Sequence, residues 1–114
     1  FLDYVDRYLT DERVFVRRFA LTTLLHFYVD EQFVPEVTSR LRRVRAEEYY
    51  VSMAAAWLAA EVIIKFRDAG VALLREHALD RTTHNRTIRK ACESLRLSAG
   101  EKEELRALRR PVIQ

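Results

Sequence analysis

The stretch EEYYVSMAAAWLAAEVIIKF, residues 47–66, decides the fold class of this chain. Its apolar residues lie on nearly every side of a helix, which predicts a helix buried among other helices. Its most apolar part, residues 53–65, is interrupted by Glu61 and is shorter than the roughly 20 residues needed to span a bilayer. The stretch therefore predicts a central helix of a globular protein and no membrane contact.

Helical segments are predicted on both sides of this stretch. Before it lie segments at about 1–9 and 13–29, and an amphipathic segment that follows the capping residue Asp30. After it lie segments at about 69–79 and 82–95, and a short helix that a Ser98–Glu101 capping box opens and that ends near 110. With only two Gly and two Pro in 114 residues, the composition favours helices over a turn-rich all-β fold.

The spacing of the segments predicts a repeat. The second, fourth and sixth segments begin near residues 13, 47 and 82, a step of about 35 residues. An amphipathic helix followed by a more buried one, repeated at this period, is typical of helical-repeat proteins. The prediction is an all-α single domain over residues 1–114, with three helix pairs and a short C-terminal helix; a compact six-helix bundle is the alternative. Because the chain begins at Phe1 inside a helical pattern, we expect it to be part of a longer protein.

Charge and cysteine content indicate which partners and which cellular compartment suit the protein. The net charge is +3, but residues 81–114 hold nine basic and four acidic residues, whereas residues 1–80 hold 11 and 13. A basic C-terminal part suits a polyanion such as nucleic acid, although a solvated Arg-rich helix face has the same composition. The single Cys92 cannot form an internal disulfide and no signal peptide opens the chain, so a cytoplasmic location is expected.

Arg18 is the first candidate binding residue. It lies in line with Val14, Leu21 and Leu25 at helical spacing, so its guanidinium sits near an apolar stripe. One interpretation is an arginine that pairs with a carboxylate of a neighbouring helix or extends to solvent. The other is an arginine on a concave face that holds a phosphate with two hydrogen bonds.

Trp57 is the second candidate, since five alanines surround it in residues 54–60. Small residues permit close helix packing, with Trp57 as part of the core. Alternatively, the ring projects from a flat surface toward a ligand, and Tyr49 and Tyr50 add aromatic contacts to the same surface.

The start of the sixth segment supplies the remaining candidates, His84, Asn85 and Arg86. Imidazole, amide and guanidinium groups at a helix N-terminus suit an anion, because free backbone N–H groups lie there as well. The alternative is ordinary capping by Asp80 with solvated side chains. The histidines and Cys92 lack the spacing of metal ligands, and no phosphate loop or catalytic triad is present, so no metal, cofactor or catalytic residue is predicted.

Three stretches in order resemble the C-terminal repeats of AlkD-like DNA alkylation-repair proteins. They are FVRRFA at 15–20, EYYVSMAAAWL at 48–58 and the segment from THNR at 83–86 to Glu93-Ser94, with Lys65-Phe66 between the last two. The resemblance implies a HEAT-like solenoid that holds double-stranded DNA with alkylated bases in a basic groove. Characterised members are glycosylases that release N3- and N7-alkylated purines without a metal.

The resemblance also assigns roles to single residues. Arg18 matches the arginine that contacts DNA, and Trp57 matches a tryptophan that lies against the lesion-bearing strand. The catalytic Asp lies upstream of this chain, and Ala60 stands where active enzymes carry Arg, so enzymatic activity is left open. The alternative function is a helical-repeat scaffold that binds protein. We also expect self-association through an apolar end exposed by missing repeats.

Overall fold

The computed structural model of this chain describes residues 2–111, which form seven α-helices and no strand. The helices are α1 (Asp3–Leu9), α2 (Val14–Phe27), α3 (Val34–Leu41), α4 (Tyr49–Lys65), α5 (Arg67–Arg75), α6 (Arg81–Cys92) and α7 (Ala99–Arg106). The all-α prediction and the order of the helices are confirmed. Phe1, the predicted start of the first helix, lies outside the described residues.

Local capping and turns set the ends of the helices. The carboxylate of Asp80 caps α6, and the predicted capping box between Ser98 and Glu101 opens α7. By contrast, α5 ends at Arg75, earlier than predicted, and is followed by His77 in the left-handed region at a φ of 53°. A residue in this conformation cannot continue a right-handed helix.

Helix α4 lies at the centre of the packing. It contacts α2 on one side, α6 on another and α5 across its C-terminal half, while α1 packs on α2 and α7 packs on α6. Helix α5 packs chiefly on α4 and α3, so α5 and α6 are not the close pair that the repeat pattern predicts. The 35-residue period therefore predicts the order of the helices correctly, but it does not predict which helix packs against α5.

Gly70 explains why α5 lies so close to α4. A Cβ atom at this position would lie 2.5 Å from the Cα of Ile63 and 2.7 Å from its backbone nitrogen. The two backbones can approach this closely only because position 70 has no side chain.

Several polar contacts between distant parts of the chain join residues about one sequence period apart. Separations of 34, 35 or 37 residues recur in five pairs: Asp6 with Arg40, Arg42 with Glu76, Ser52 with Arg86, Glu61 with Arg96, and Arg67 with Glu104. Corresponding positions of successive segments therefore lie next to each other in space.

The core is apolar and centred on α4. The fully buried residues of α4 include Val51, Ala55 and Leu58, and its Ala60 and Ile63 join a second cluster with residues of α5, α6 and α7. The radius of gyration is 13.3 Å, as expected for a compact chain of this length. Within residues 2–111, no helix is long and apolar enough to cross a membrane.

Candidate functional site

Adjacent arginines at the start of α2 have opposite environments. Arg17 is buried, and its Nη1 atom donates to the backbone carbonyls of Asp11 and Glu12, at 2.9 Å each. Arg18 is exposed and forms no ion pair with any other residue of the described chain. The guanidinium of Arg17 therefore closes the loop before α2, while that of Arg18 is available to a ligand.

Trp57 projects from α4 and does not fill the core. Its side chain is 52% exposed, and the ammonium group of Lys90 lies 5.2 Å from the centre of its ring. The alanines around it are buried and pack against the neighbouring helices. Close helix packing and an outward-facing tryptophan, which the sequence analysis treats as alternatives, therefore occur on opposite sides of the same helix.

Arg86 joins α6 to the first turn of α4. Its guanidinium carbon lies 4.8 Å from the centre of the Tyr49 ring, and its Nη1 atom donates to Ser52 Oγ at 2.8 Å. Ser52 Oγ in turn lies 2.7 Å from Thr83 Oγ1. These contacts hold the guanidinium of Arg86 beside an exposed aromatic ring.

His84 and Asn85, two of the predicted binding residues, bond to the segment that follows α7. His84 has no exposed surface, and its Nε2 atom lies 2.9 Å from the carbonyl oxygen of Leu108. The amide of Asn85 donates to the carbonyl of Arg110 at 2.7 Å and accepts from its backbone N–H at 2.9 Å. Neither side chain forms an anion site at the N-terminus of α6 with the free backbone N–H groups there, because the segment after α7 packs on this part of the helix.

Burial also changes the acidity of His84. Loss of solvation lowers its pKa below the ordinary value of 6.5, and the nearby charges of Arg110 and His77 act in the same direction. The hydrogen bond to the carbonyl of Leu108 opposes this shift but is the smaller effect. The imidazole is therefore held neutral near pH 7, as a structural hydrogen-bond donor.

The exposed sides of α4 and α6 form one surface, here called the aromatic–cation face. Its members are Tyr49, Tyr50, Met53 and Trp57 on α4, with Arg86, Arg89 and Lys90 on α6. A groove of about 160 Å³ runs between the two helices and is bordered by Met53, Arg89 and Glu93 among others. Exposed rings next to cations can contact the bases or sugars and the phosphates of a nucleic acid.

Two cations of this face, Arg89 and Lys90, are not among the residues predicted from the sequence. Arg89 follows Arg86 by three residues and Lys90 follows it by four, which places both on the same side of α6. That spacing is the signal in the sequence that points to them.

A second apolar surface lies at the edge formed by α1 and α2. This edge patch consists of Tyr8, Phe15 and Phe19; the two phenylalanines are 79% and 58% exposed. The rings of Tyr8 and Phe19 meet edge to face with their centres 6.1 Å apart. A cluster of large exposed rings is unusual on a free protein surface and indicates a contact site.

Among residues 2–111, no cluster of three or more His, Cys, Asp or Glu is arranged to hold a metal ion. Comparison with protein-family profiles, with curated proteins and with solved structures gave no match to this chain. The candidate site is therefore defined by the geometry of the aromatic–cation face, Arg18 and the edge patch.

Proposed function

We propose that this chain binds double-stranded DNA, as the DNA-binding part of an AlkD-like alkylation-repair protein. The observation that carries the proposal is the pairing of exposed rings with cations: Trp57 with Lys90, and Tyr49 with Arg86. Cations next to the rings neutralise backbone phosphates, and the rings provide flat contact area for sugars and bases. Arg18 on α2 supplies a further guanidinium without a competing carboxylate.

A HEAT-like stack is the arrangement that we propose for the seven helices. Two features support it: α2 packs on α4 and α4 packs on α6, and five polar contacts join residues that lie 34, 35 or 37 positions apart in the chain. In such a stack each unit contacts only its neighbours, and the inner helices together form an extended binding surface.

Binding, and not excision, is the activity proposed for this chain. Release of an alkylated purine requires stabilisation of a cationic sugar, for which a free carboxylate is suited. Two acidic residues near the start of the chain are already engaged: Asp6 pairs with Arg40, and Asp11 pairs with Arg13. The pairing with Arg13 lowers the pKa of Asp11 to about 2. Excision by the parent protein would use a carboxylate outside this chain, as the resemblance implies.

Fluorescence anisotropy of a labelled duplex across a salt series tests this function. We expect a log–log slope of about −3 for the wild-type chain, since each neutralised phosphate contributes about −0.9. Arg18→Ala should make the slope shallower by about one, because it removes one phosphate contact. Trp57→Ala should weaken binding by a similar factor at every salt concentration and leave the slope unchanged, because ring contacts do not release counterions.

Arg75→Ala is the matched control, because it removes an exposed arginine from α5 and leaves the aromatic–cation face intact. It should bind the duplex like the wild type. Equal behaviour of the Arg18 and Arg75 variants, or no binding even at low salt, would contradict the proposal.

The edge patch favours a second candidate function, a scaffold that binds protein, including another copy of this chain. Burial of exposed phenylalanine rings stabilises association by removing apolar area from water. Static light scattering should show a mass that rises with concentration and falls to that of a monomer in the Phe15→Ser/Phe19→Ser variant. A wild-type chain that stays monomeric at high concentration would count against self-association.

A further inference from the structure

A cationic cavity lies between α6 and α7, next to the groove between α4 and α6, with which it shares Arg89 and Glu93. Its volume is about 320 Å³, near the lower limit of small-molecule sites. The polar residues that line it are Asn85, Arg89, Cys92, Glu93, Arg106 and Arg109. Three guanidinium groups and a single carboxylate thus border one small space.

Most of this positive charge is not neutralised within the described chain. Arg89 and Arg109 are exposed and form no ion pair with residues 2–111. Arg106 pairs only with the exposed Glu103, and Glu93 is itself compensated by Lys90 at 3.5 Å. An anion that enters the cavity therefore meets guanidinium groups with little competition from carboxylates.

The wall that carries Arg109 is held in place by buried polar contacts. His84 bonds to the carbonyl of Leu108, and Asn85 bonds in both directions to the backbone of Arg110. These contacts, on both sides of Arg109 in the chain, leave less backbone freedom to lose when a ligand binds. They also give a function to His84 and Asn85, which do not reach the aromatic–cation face.

We propose that this cavity binds phosphate oxyanions. Guanidinium groups hold phosphate through two parallel charged hydrogen bonds, which a carboxylate-poor cavity with three arginines can supply. The phosphate belongs either to a free polyphosphate anion or to the backbone of a nucleic acid. The proposal rests on the cavity alone and does not require duplex binding by the aromatic–cation face.

Cys92, the single cysteine of the chain, lies in the cavity wall and reports its occupancy. Alkylation by iodoacetamide, which is uncharged, is followed by mass spectrometry with tripolyphosphate or with sodium chloride of equal ionic strength. Bound phosphate should slow alkylation several-fold, because it covers the thiol in the cavity wall. Chloride should have little effect, and calorimetric titration with tripolyphosphate should show saturable heat.

Arg89→Gln and Arg109→Gln should each raise the half-protecting concentration of tripolyphosphate about tenfold, the effect of one lost charged hydrogen bond. Arg7→Gln, an exposed change on α1, should leave it unchanged. Protection by an unlabelled duplex as well would identify the nucleic-acid backbone as the source of phosphate, and protection by tripolyphosphate alone would identify a free anion. Equal slowing by chloride, or neither protection nor heat with either phosphate source, would overturn the site.

Discussion

Helix α4 meets α5 and α6 in two different ways. The contact with α5 is apolar, and the two backbones lie so close that there is no space for a methyl group between Gly70 and Ile63. Toward the start of α6 the contact is polar, and the buried hydroxyls of Ser52 and Thr83 meet beside the guanidinium of Arg86. One helix thus combines a steric contact with a hydrogen-bonded one.

The apolar contact and the hydrogen-bonded contact contribute to the candidate site in different ways. The contact with α5 depends on shape, so any added atom is destabilising and nothing there faces solvent. The contact with the start of α6 depends on paired polar groups, and one of these, Arg86, lies beside the exposed ring of Tyr49. The hydrogen-bonded side therefore places the cation of the candidate site, while the apolar side holds the helix that carries Trp57.

The largest effect is expected from Gly70→Ala on the steric side. Its Cβ would overlap the backbone of Ile63, and overpacking costs about 1–3 kcal/mol, with the upper end expected for a backbone contact. The better helix propensity of alanine offsets only about 1 kcal/mol. Urea denaturation should show a free energy of unfolding lower by about 2 kcal/mol.

Gly100→Ala is the control, since the nearest atom to a new Cβ there is Ser98 Oγ at 3.9 Å. This change in α7 should leave stability unchanged or raise it by up to about 1 kcal/mol. Equal effects of the two substitutions would mean that the contact between α4 and α5 is not as close as described.

A smaller loss is expected on the hydrogen-bonded side from Ser52→Ala. It leaves the buried hydroxyl of Thr83 with only a 3.5 Å contact to the carbonyl of Ala46, which should cost about 1–2 kcal/mol. Adding Thr83→Val removes the unpaired hydroxyl, so the double variant should be less destabilised than the two single losses combined. A double-mutant cycle in urea measures this coupling, expected at about 1 kcal/mol. Additive losses would indicate that the two hydroxyls do not interact.

The smallest effect concerns the far side of α6 and develops only in mild acid. Because burial lowers the pKa of His84, its contribution to stability is complete above pH 6.5 and is lost as the pH falls toward the folded-state pKa. A proton on Nδ1, which is buried without a partner, would lie near Arg110 and His77. The free energy of unfolding should therefore decrease below pH 6.5.

The His84→Gln variant should lose this part of the pH dependence, whatever its stability at neutral pH. His26→Gln, a change at an exposed histidine on α2, should keep it. Urea midpoints between about pH 5 and 8 cover the relevant range. The same slope in the wild type and the His84 variant would exclude His84 as the titrating group.

The helices and two of their caps, Asp80 and Ser98, were predictable because they depend on residues close in sequence. The predicted cap Asp30 was wrong, because α3 begins after Phe33 and has no side-chain cap. Seven segments, the Ser98–Glu101 capping box and a step of about 35 residues all follow from periodicity and capping residues. The ends of the helices were less predictable. Helix α5 ends before His77, which adopts a left-handed backbone conformation that the neighbouring residue types do not indicate.

The candidate site was predictable in part. Trp57 and Arg86 lie at one surface, as predicted. The predicted apolar stripe of α2 included Arg18, whereas the residues that are buried in this helix are Arg17, Ala20, Leu21 and Leu24. Arg17 is the buried arginine, since backbone carbonyls before α2 accept its hydrogen bonds. No spacing rule anticipates such a partner.

The all-α class, the order of the helices and the residue types available for a binding surface follow from the amino-acid sequence. These are local properties, set by apolar periodicity, caps and the scarcity of glycine and proline. Three features emerge only when the helices pack: which of two adjacent arginines is buried, the exposure of Trp57 to solvent, and the contacts of His84 and Asn85 with the segment after α7. Those outcomes depend on where neighbouring helices lie, because burial and hydrogen bonding are properties of surfaces that meet from distant parts of the chain.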